Sequence, residues 1–191
     1  MKQVVQSART GKLAVEDVPA PTAAAGELLV RTRASLISAG TERMVVDFAK
    51  KSLAAKVKAR PDLMQKVMNK MRTDGLKATF KAVISRLDEP LPLGYSAAGM
   101  VASVGPGLEG AYRVGDRVAI AGAGLANHAE LNAVPRNLAV PIPADVSDEE
   151  ACYGTLAAVA LHAVRNLDAK LGETVAVLGL GLVGQLAAQF L

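Results

Sequence analysis

The 191-residue sequence predicts a mixed β and α/β protein: a strand-rich domain, interrupted by a basic helical insertion, that runs into the first strand and helix of a nucleotide-binding α/β fold. Three observations predict it. Apolar residues recur at the short spacing of strands on both sides of residues 44 to 90, while between those positions they recur at three and four. Near the end, Val175-Ala176-Val177-Leu178 leads into Gly179-Leu180-Gly181-Leu182-Val183-Gly184 and then a helix-compatible segment. This is the strand–turn–helix setting in which G-x-G-x-x-G signifies dinucleotide binding.

Each element has its own warrant. Gln3 to Val5, Leu13 to Val15 and Leu28 to Ile37 are rich in β-formers and are separated by Gly11, Pro19, Pro21 and Gly26. In the third run Leu28, Val30, Thr32, Ala34 and Leu36 alternate with Arg31, Arg33 and Ser35, which predicts a half-buried strand. From residue 44 three helices follow. Val45, Phe48, Ala49, Leu53 and Val57 make the first. Pro61-Asp62 opens a second carrying Met64, Val67, Met68 and Met71, ended by Gly75. Leu76, Phe80, Val83, Ile84 and Leu87 make a third, closed by Asp88-Glu89-Pro90. Strands resume with Ala98 to Gly105 and Arg113 to Ile120, then the run Asn127 to Leu131 and an extended Asn137 to Pro143. Ser147-Asp148-Glu149-Glu150 is a capping box opening a helix to about Leu161, and a second helical stretch reaches about Leu171. Gly172 leads to the final strand, Val175 to Leu178.

Composition narrows the function classes. Hydrophobic residues are 51% of the chain, enough for a packed core, but aromatics are 3% and Trp is absent, so that core is built from Val, Leu, Ala and Ile. A single cysteine excludes an intramolecular disulfide and suits a reducing compartment. The N-terminus has no apolar h-region, and the longest apolar tract, broken by glycines and by Gln185 and Gln189, falls short of a membrane span. A cytoplasmic, soluble chain without membrane partners is expected. Net charge is +4, yet residues 44 to 92 alone hold eleven Lys and Arg against five acids. That segment is therefore +6 and the rest of the chain −2. Two readings stand for the basic insertion: a solvated helical cap over an apolar stripe, or a docking surface for an anionic substrate or a partner domain. Nucleic acid is not expected, because the aromatics there, Phe48 and Phe80, fit the apolar stripes and leave none for base stacking.

Taken together, Gly94-Tyr-Ser-Ala-Ala-Gly-Met-Val-Ala-Ser-Val-Gly105, Gly115-Asp-Arg-Val118, His128-Ala-Glu130, Leu138 to Pro143 and the glycine turn stand in the order found in medium-chain dehydrogenase/reductases. The chain resembles that superfamily, the zinc-type alcohol dehydrogenases and quinone oxidoreductases, over nearly all its length outside the insertion. The resemblance implies a GroES-like β-barrel catalytic domain over residues 1–150, with the insertion at about 44–90. Linker helices and the start of a truncated Rossmann domain would follow over 151–191. It also implies NAD or NADP as cofactor, a small-molecule substrate and hydride transfer to or from a carbonyl, alcohol or sugar-like carbon. Ser35 to Met44, the insertion and Pro92-Leu-Gly-Tyr-Ser96 are further similar to bacterial bi-domain oxidoreductases, in which a second oxidoreductase-type domain follows.

Where the family's zinc-dependent members have C-G-x-D, this chain has Ala39-Gly40-Thr41-Glu42, and where they have G-H-E it has Gly94-Tyr95-Ser96. The third ligand position falls near Gly154, with Cys152 two residues away, and Arg117 to Pro143 lacks the cysteines of a structural zinc lobe. Ala, Tyr and Gly cannot form a zinc site, so no catalytic metal is expected. Within the resemblance Thr41 takes the place of a proton-relaying hydroxyl; a plain turn hydroxyl is the other reading. Tyr95 either donates a proton from its phenol or plugs the vacated site. Cofactor contacts are expected from Gly179, Leu180, Gly181, Leu182, Val183 and Gly184. Cys152 reads as a small buried hydrophobe, His162 as a surface or packed residue, and His128 as a turn residue that either faces the cleft or does not. The competing function is a catalytically silent dehydrogenase-like docking module. With the strand beyond the fingerprint absent from the 191 residues, the chain by itself is expected to be inactive, to bind nicotinamide cofactors weakly, and to leave Val175 to Leu178 available for pairing in a homodimer.

Overall fold

The computed structural model describes residues 1–7, 10–50 and 90–191, which fall into two compact units. One comprises Lys2–Asp17 and Ile37–Leu93, the other Met1, Val18–Leu36 and Gly94–Leu191. The second and third helices expected in the insertion lie outside the described residues.

In the first unit, β1 (Lys2–Ser7) pairs antiparallel with β2 (Leu13–Asp17) and with β4 (Pro90–Pro92), giving the order β2-β1-β4. The register places Val4 opposite Val15 and Val5 opposite Pro92. Val5 and Leu93 are buried, and the Leu93 amide donates to the Val4 carbonyl at 3.2 Å. Prolines at both ends of β4 suit a short edge strand, since a proline there forfeits no ladder bond that a central strand would need. Helix α1 spans Ala39–Lys50. It begins earlier than the apolar spacing predicts, because Ser38 and Glu42 cap it. The Thr41 amide donates to Ser38 Oγ at 3.5 Å, and Glu42 Oε1 accepts from the Ser38 amide at 3.2 Å.

The second unit holds a five-stranded antiparallel sheet in the order β7-β3-β5-β6-β8, formed by β3 (Glu27–Ser35), β5 (Ser96–Val104), β6 (Arg117–Ala121), β7 (Leu131–Pro135) and β8 (Ala139–Pro141). Leu28, Val30, Ala97, Val101, Val118, Ile120 and Val134 pack into one buried cluster, the inward half of the alternation read in the sequence. Two register irregularities interrupt β3 against β5, between Leu29 and Val30 and between Thr32 and Ala34. Such irregularities bend a strand and sharpen its twist.

Several expectations are corrected here. Asn127 to Glu130 is a turn, and the strand starts only at Leu131. Arg136–Leu138 is a short 3-10 turn ahead of β8. The helix opened by Ser147 lasts only from Asp148 to Ala151 (α2), and a separate helix α3 runs over Gly154–Leu167, where Asp168 ends it at φ 51°. Val175 to Leu178 pairs with no described strand, although α4 (Leu182–Phe190) follows as expected. An extended segment becomes a strand only when a neighbour completes its ladder. Fold class is thus mixed sheet and helix, with the strand-rich and helical portions in the predicted order.

Candidate functional site

The glycine turn is built as its spacing requires. Gly179 sits at φ 94°, a conformation that costs a side chain dearly. A Cβ on Gly184 would run into the Gly179 carbonyl oxygen, so the helix lies on the turn only because residue 184 is glycine. Gly181 is different. It is the N-cap of α4, with φ −72° and ψ −175°, and no described residue lies within 4 Å of where its Cβ would stand. The Gln185 amide donates to the Gly181 carbonyl at 2.9 Å, and the Gln185 side chain donates to the Leu180 carbonyl at 2.9 Å, which fixes the last residues of the turn. Open space at Gly181, next to the free amides and positive dipole end of a nine-residue helix, fits a dinucleotide pyrophosphate.

Beneath α4 lies a second apolar cluster of Leu36, Ala98, Cys152 and Leu156, against which Tyr95, Ile142, Tyr153, Leu182 and Leu186 pack. The Tyr95 ring and Leu182 of the fingerprint therefore share one cluster. Ser96, beside Tyr95, is 1% exposed and does more than fill space. Its hydroxyl donates to the Cys152 carbonyl at 2.6 Å and accepts from the Thr155 amide at 3.3 Å. Tyr153, the N-cap of α3, makes no side-chain cap, so Ser96 caps that helix from the sheet. Arg117 makes the other tie, donating to Asp148 Oδ1 at 2.8 Å and to the Val146 carbonyl at 2.6 Å.

Gly94 carries the neighbouring loop. It lies at φ 98°, and a Cβ there would stand 2.6 Å from the His128 amide nitrogen. The 127–128 turn thus rests directly on the backbone that leads into Tyr95. His128 Nδ1 is 2.9 Å from Ser35 Oγ. Asn132, 2% exposed, anchors the same turn: its Oδ1 accepts from the Asn127 amide at 3.0 Å, and its Nδ2 donates to the Asn127 carbonyl and, at 2.9 Å, to Thr32 Oγ1. Asn127 Oδ1 is buried with no hydrogen-bond partner among the described residues.

Thr41 sits exposed in the first turn of α1, in the first unit; Tyr95 and the glycine turn are in the second. Gly154, at the third ligand position, lines an apolar hollow of about 260 Å³ with Ala119, Ile120, Leu138, Val140 and Ala158. Among the described residues no three His, Cys, Asp or Glu side chains group as a metal site. Cys152 is buried, its thiol donates to the Glu149 carbonyl at 3.0 Å, and burial followed by the Glu149 charge pushes its pKa up. A thiol held neutral in this way is a poor nucleophile. His162 is exposed on α3 and pairs with Asn166 at 2.9 Å. Sequence reasoning missed Ser35 and Ser96, whose partners are 93 and 56 residues away. No local spacing signals such pairs.

No protein-family model matches the chain. A stretch of 126 residues is 31% identical to the (R,R)-butanediol dehydrogenase of Bacillus subtilis, covering 53% of this chain and 36% of that protein. Galactitol-1-phosphate dehydrogenase from Escherichia coli superimposes with a TM-score of 0.70 at 18% identity over 99% of this chain and 51% of that one. A protein of E. coli CFT073 described as a short chain alcohol dehydrogenase and solved with NADH gives 0.69 at 22% identity over 99% of this chain and 52% of that one. The curated relative and the galactitol-1-phosphate neighbour are dehydrogenases, and the likeness to medium-chain dehydrogenase/reductases carried by the motifs holds at the level of the fold. The chain spans about half the length of the solved neighbours and about a third of the curated relative.

Proposed function

We propose that this chain is the N-terminal portion of a zinc-independent, nicotinamide-dependent oxidoreductase acting on a small carbonyl, alcohol or sugar-like substrate. The observation that carries the reading is the contrast within the glycine turn. Gly184 is required by the protein's own backbone, whereas no described residue comes within 4 Å of a Cβ placed at Gly181. Open space beside a helix N-terminus is what a pyrophosphate would use. Residues 1–150 would supply the substrate side as a GroES-like domain, and 151–191 the start of a Rossmann domain. NAD or NADP would be held by the amides of Gly179 to Gly184, and when bound it supplies a hydride acceptor or donor. Zinc does not fit. Ala39, Tyr95 and the apolar hollow at Gly154 offer no donor set, so no step is assigned to a metal. Thr41 and Tyr95 are the proposed polar contacts to substrate. In the whole protein a second oxidoreductase-type domain, dimerisation and a cytoplasmic setting belong to the same proposal.

The competing reading, a catalytically silent docking module, draws on the Tyr95 ring, which packs into the apolar cluster and so can serve as a plug. Cofactor reduction by the whole protein on a panel of secondary alcohols, polyols, enones and quinones decides between them. Turnover of any member supports the oxidoreductase. Absence of turnover across the panel, with nicotinamide cofactor bound, supports the docking module.

A further inference from the structure

We propose that Arg33, Ser96 and Arg117 hold the Asp148–Cys152 turn as a three-point support for the glycine-turn helix α4, with Asp148 as a positioning residue for the cofactor. The inference rests on the nicotinamide reading of the glycine turn and adds what sets the orientation of that turn.

The sheet runs β7-β3-β5-β6-β8, so β3, β5 and β6 are consecutive neighbours. Each sends one side chain to the same short segment. Arg33 Nη1, from β3, lies 3.5 Å from Asp148 Oδ2. Ser96, the first residue of β5, donates to the Cys152 carbonyl at 2.6 Å. Arg117, the first residue of β6, donates to Asp148 Oδ1 from Nε at 3.0 Å and from Nη2 at 2.8 Å. Asp148 therefore bridges β3 and β6 across the strand between them, and its side chain is only 11% exposed. Arg117 pairs with Met100, which lies four residues along β5 from Ser96, so the three anchors do not stand in a row. The Cys152 amide donates to the Asp148 carbonyl at 3.0 Å and ties the two held residues to each other. Anchors spread in this way define the orientation of a turn as well as its place. A half-exposed arginine contributes little to stability, and a buried ion pair need not stabilise more than apolar side chains would. Geometry is what these bonds supply.

The support carries the fingerprint helix. Cys152 and Leu156 are part of the buried floor on which Leu182 and Leu186 of α4 pack. Leu182 is the first residue of α4, directly after the Gly181 N-cap, where the free amides that would meet a pyrophosphate begin. Amide hydrogen bonds keep donor and acceptor within about 2.7–3.2 Å, so a displacement of about half an ångström weakens several at once. Moving the floor moves those amides.

The test titrates the whole protein with NADH and NADPH by fluorescence, in about 0.5 M salt to screen distant charges, and records the melting temperature of the cofactor-free protein beside it. Arg33→Gln removes one anchor at a half-exposed site. Its melting temperature should stay within about 3 °C of the parent, while the tighter-binding cofactor weakens about threefold or more through misplaced amide bonds. Arg33→Lys, which keeps a cation within reach of Asp148, should bring affinity back to within about twofold. Asp148→Asn should weaken the cofactor about tenfold. By charge alone, losing a carboxylate would favour an anionic cofactor, so weaker binding in Asp148→Asn reports geometry. Should Asp148→Asn not fold, the Arg33→Gln titration decides. Equal affinity in parent and Arg33→Gln overturns the three-point support. Equal affinity in Asp148→Asn as well, whatever its melting temperature, reduces Asp148 to a stabilising tie and leaves the oxidoreductase reading standing. A parent that binds neither cofactor overturns the nicotinamide reading of the glycine turn, and the positioning role with it.

Discussion

Gly181 and Gly184 stand in one turn and make opposite demands on a side chain. At Gly184 a Cβ would collide with the Gly179 carbonyl, so Gly184→Ala should destabilise the α4 turn by about 1–3 kcal/mol, as overpacking against backbone does. At Gly181 the backbone is extended and the space is open, so Gly181→Ala should leave the melting temperature unchanged. Under the proposed function the added methyl would occupy space needed by the cofactor's pyrophosphate. In the whole protein we expect Gly181→Ala to weaken NADH and NADPH at least tenfold by titration calorimetry. Equal affinity in parent and variant would remove this turn from the cofactor site. Gly94 belongs to the Gly184 type. Its positive φ and the His128 amide nitrogen 2.6 Å from its Cβ position make Gly94→Ala costly, by about 2–4 kcal/mol in a denaturant titration.

Among the elements, those with local signals were legible and those closed by distant partners were not. The capping box at Ser147 is a four-residue signature, and it forms as read: Ser147 Oγ accepts from the Glu150 amide at 3.1 Å and the Glu150 carboxylate accepts from the Ser147 amide at 2.9 Å. These bonds, the backbone one first, hold the Glu150 carboxyl below its ordinary pKa. A depressed carboxyl contributes stability above its unfolded pKa and loses it as pH falls through the folded value. Ser147→Ala should therefore raise the Glu150 titration toward an ordinary carboxylate, measurable by NMR of the side-chain carbonyl carbon. The start of α1 was missed for a local reason as well. Its cap uses Ser38 with Glu42, one residue longer than the usual serine-to-glutamate spacing. Strands β1, β2 and β3 were legible because alternation survives in a single sequence. Val175 to Leu178 has the composition of a strand but no partner, and composition cannot show a partner. The glycine turn was visible as spacing, yet the difference between Gly181 and Gly184 needed coordinates. Thr41 and Tyr95 stand out by likeness of motif, and likeness does not disclose that Tyr95 packs into an apolar cluster.

For the molecule as a whole, the sharpest expectation concerns metal. The positions that the family resemblance matches to zinc donors hold Ala39, Tyr95 and Gly154, and Cys152 points its thiol at the Glu149 carbonyl. Elemental analysis of the purified protein after mild chelation should find well under one zinc per chain. Stoichiometric zinc would locate a site beyond these residues and return metal-assisted chemistry to consideration. Iodoacetamide should label Cys152 far more slowly in the folded protein than after denaturation, since burial keeps the thiol neutral.

The serine hydroxyl that links β5 to the start of α3 also sets which amides can exchange with solvent together. Helix α3 has no cap of its own at Tyr153, so the Thr155 N–H is shielded only while Ser96 stays in place. Its deuterium uptake should then follow the opening of β5, 59 residues earlier in the chain, and not the local fraying that usually governs a helix terminus. Ser96→Ala would leave the Thr155 donor and the Cys152 carbonyl without this partner, at a cost of about 1–3 kcal/mol. In that variant Thr155 should exchange at the fast rate of a frayed end while the middle of α3 stays protected. If Thr155 exchanges equally slowly in parent and variant, the sheet and this helix open independently.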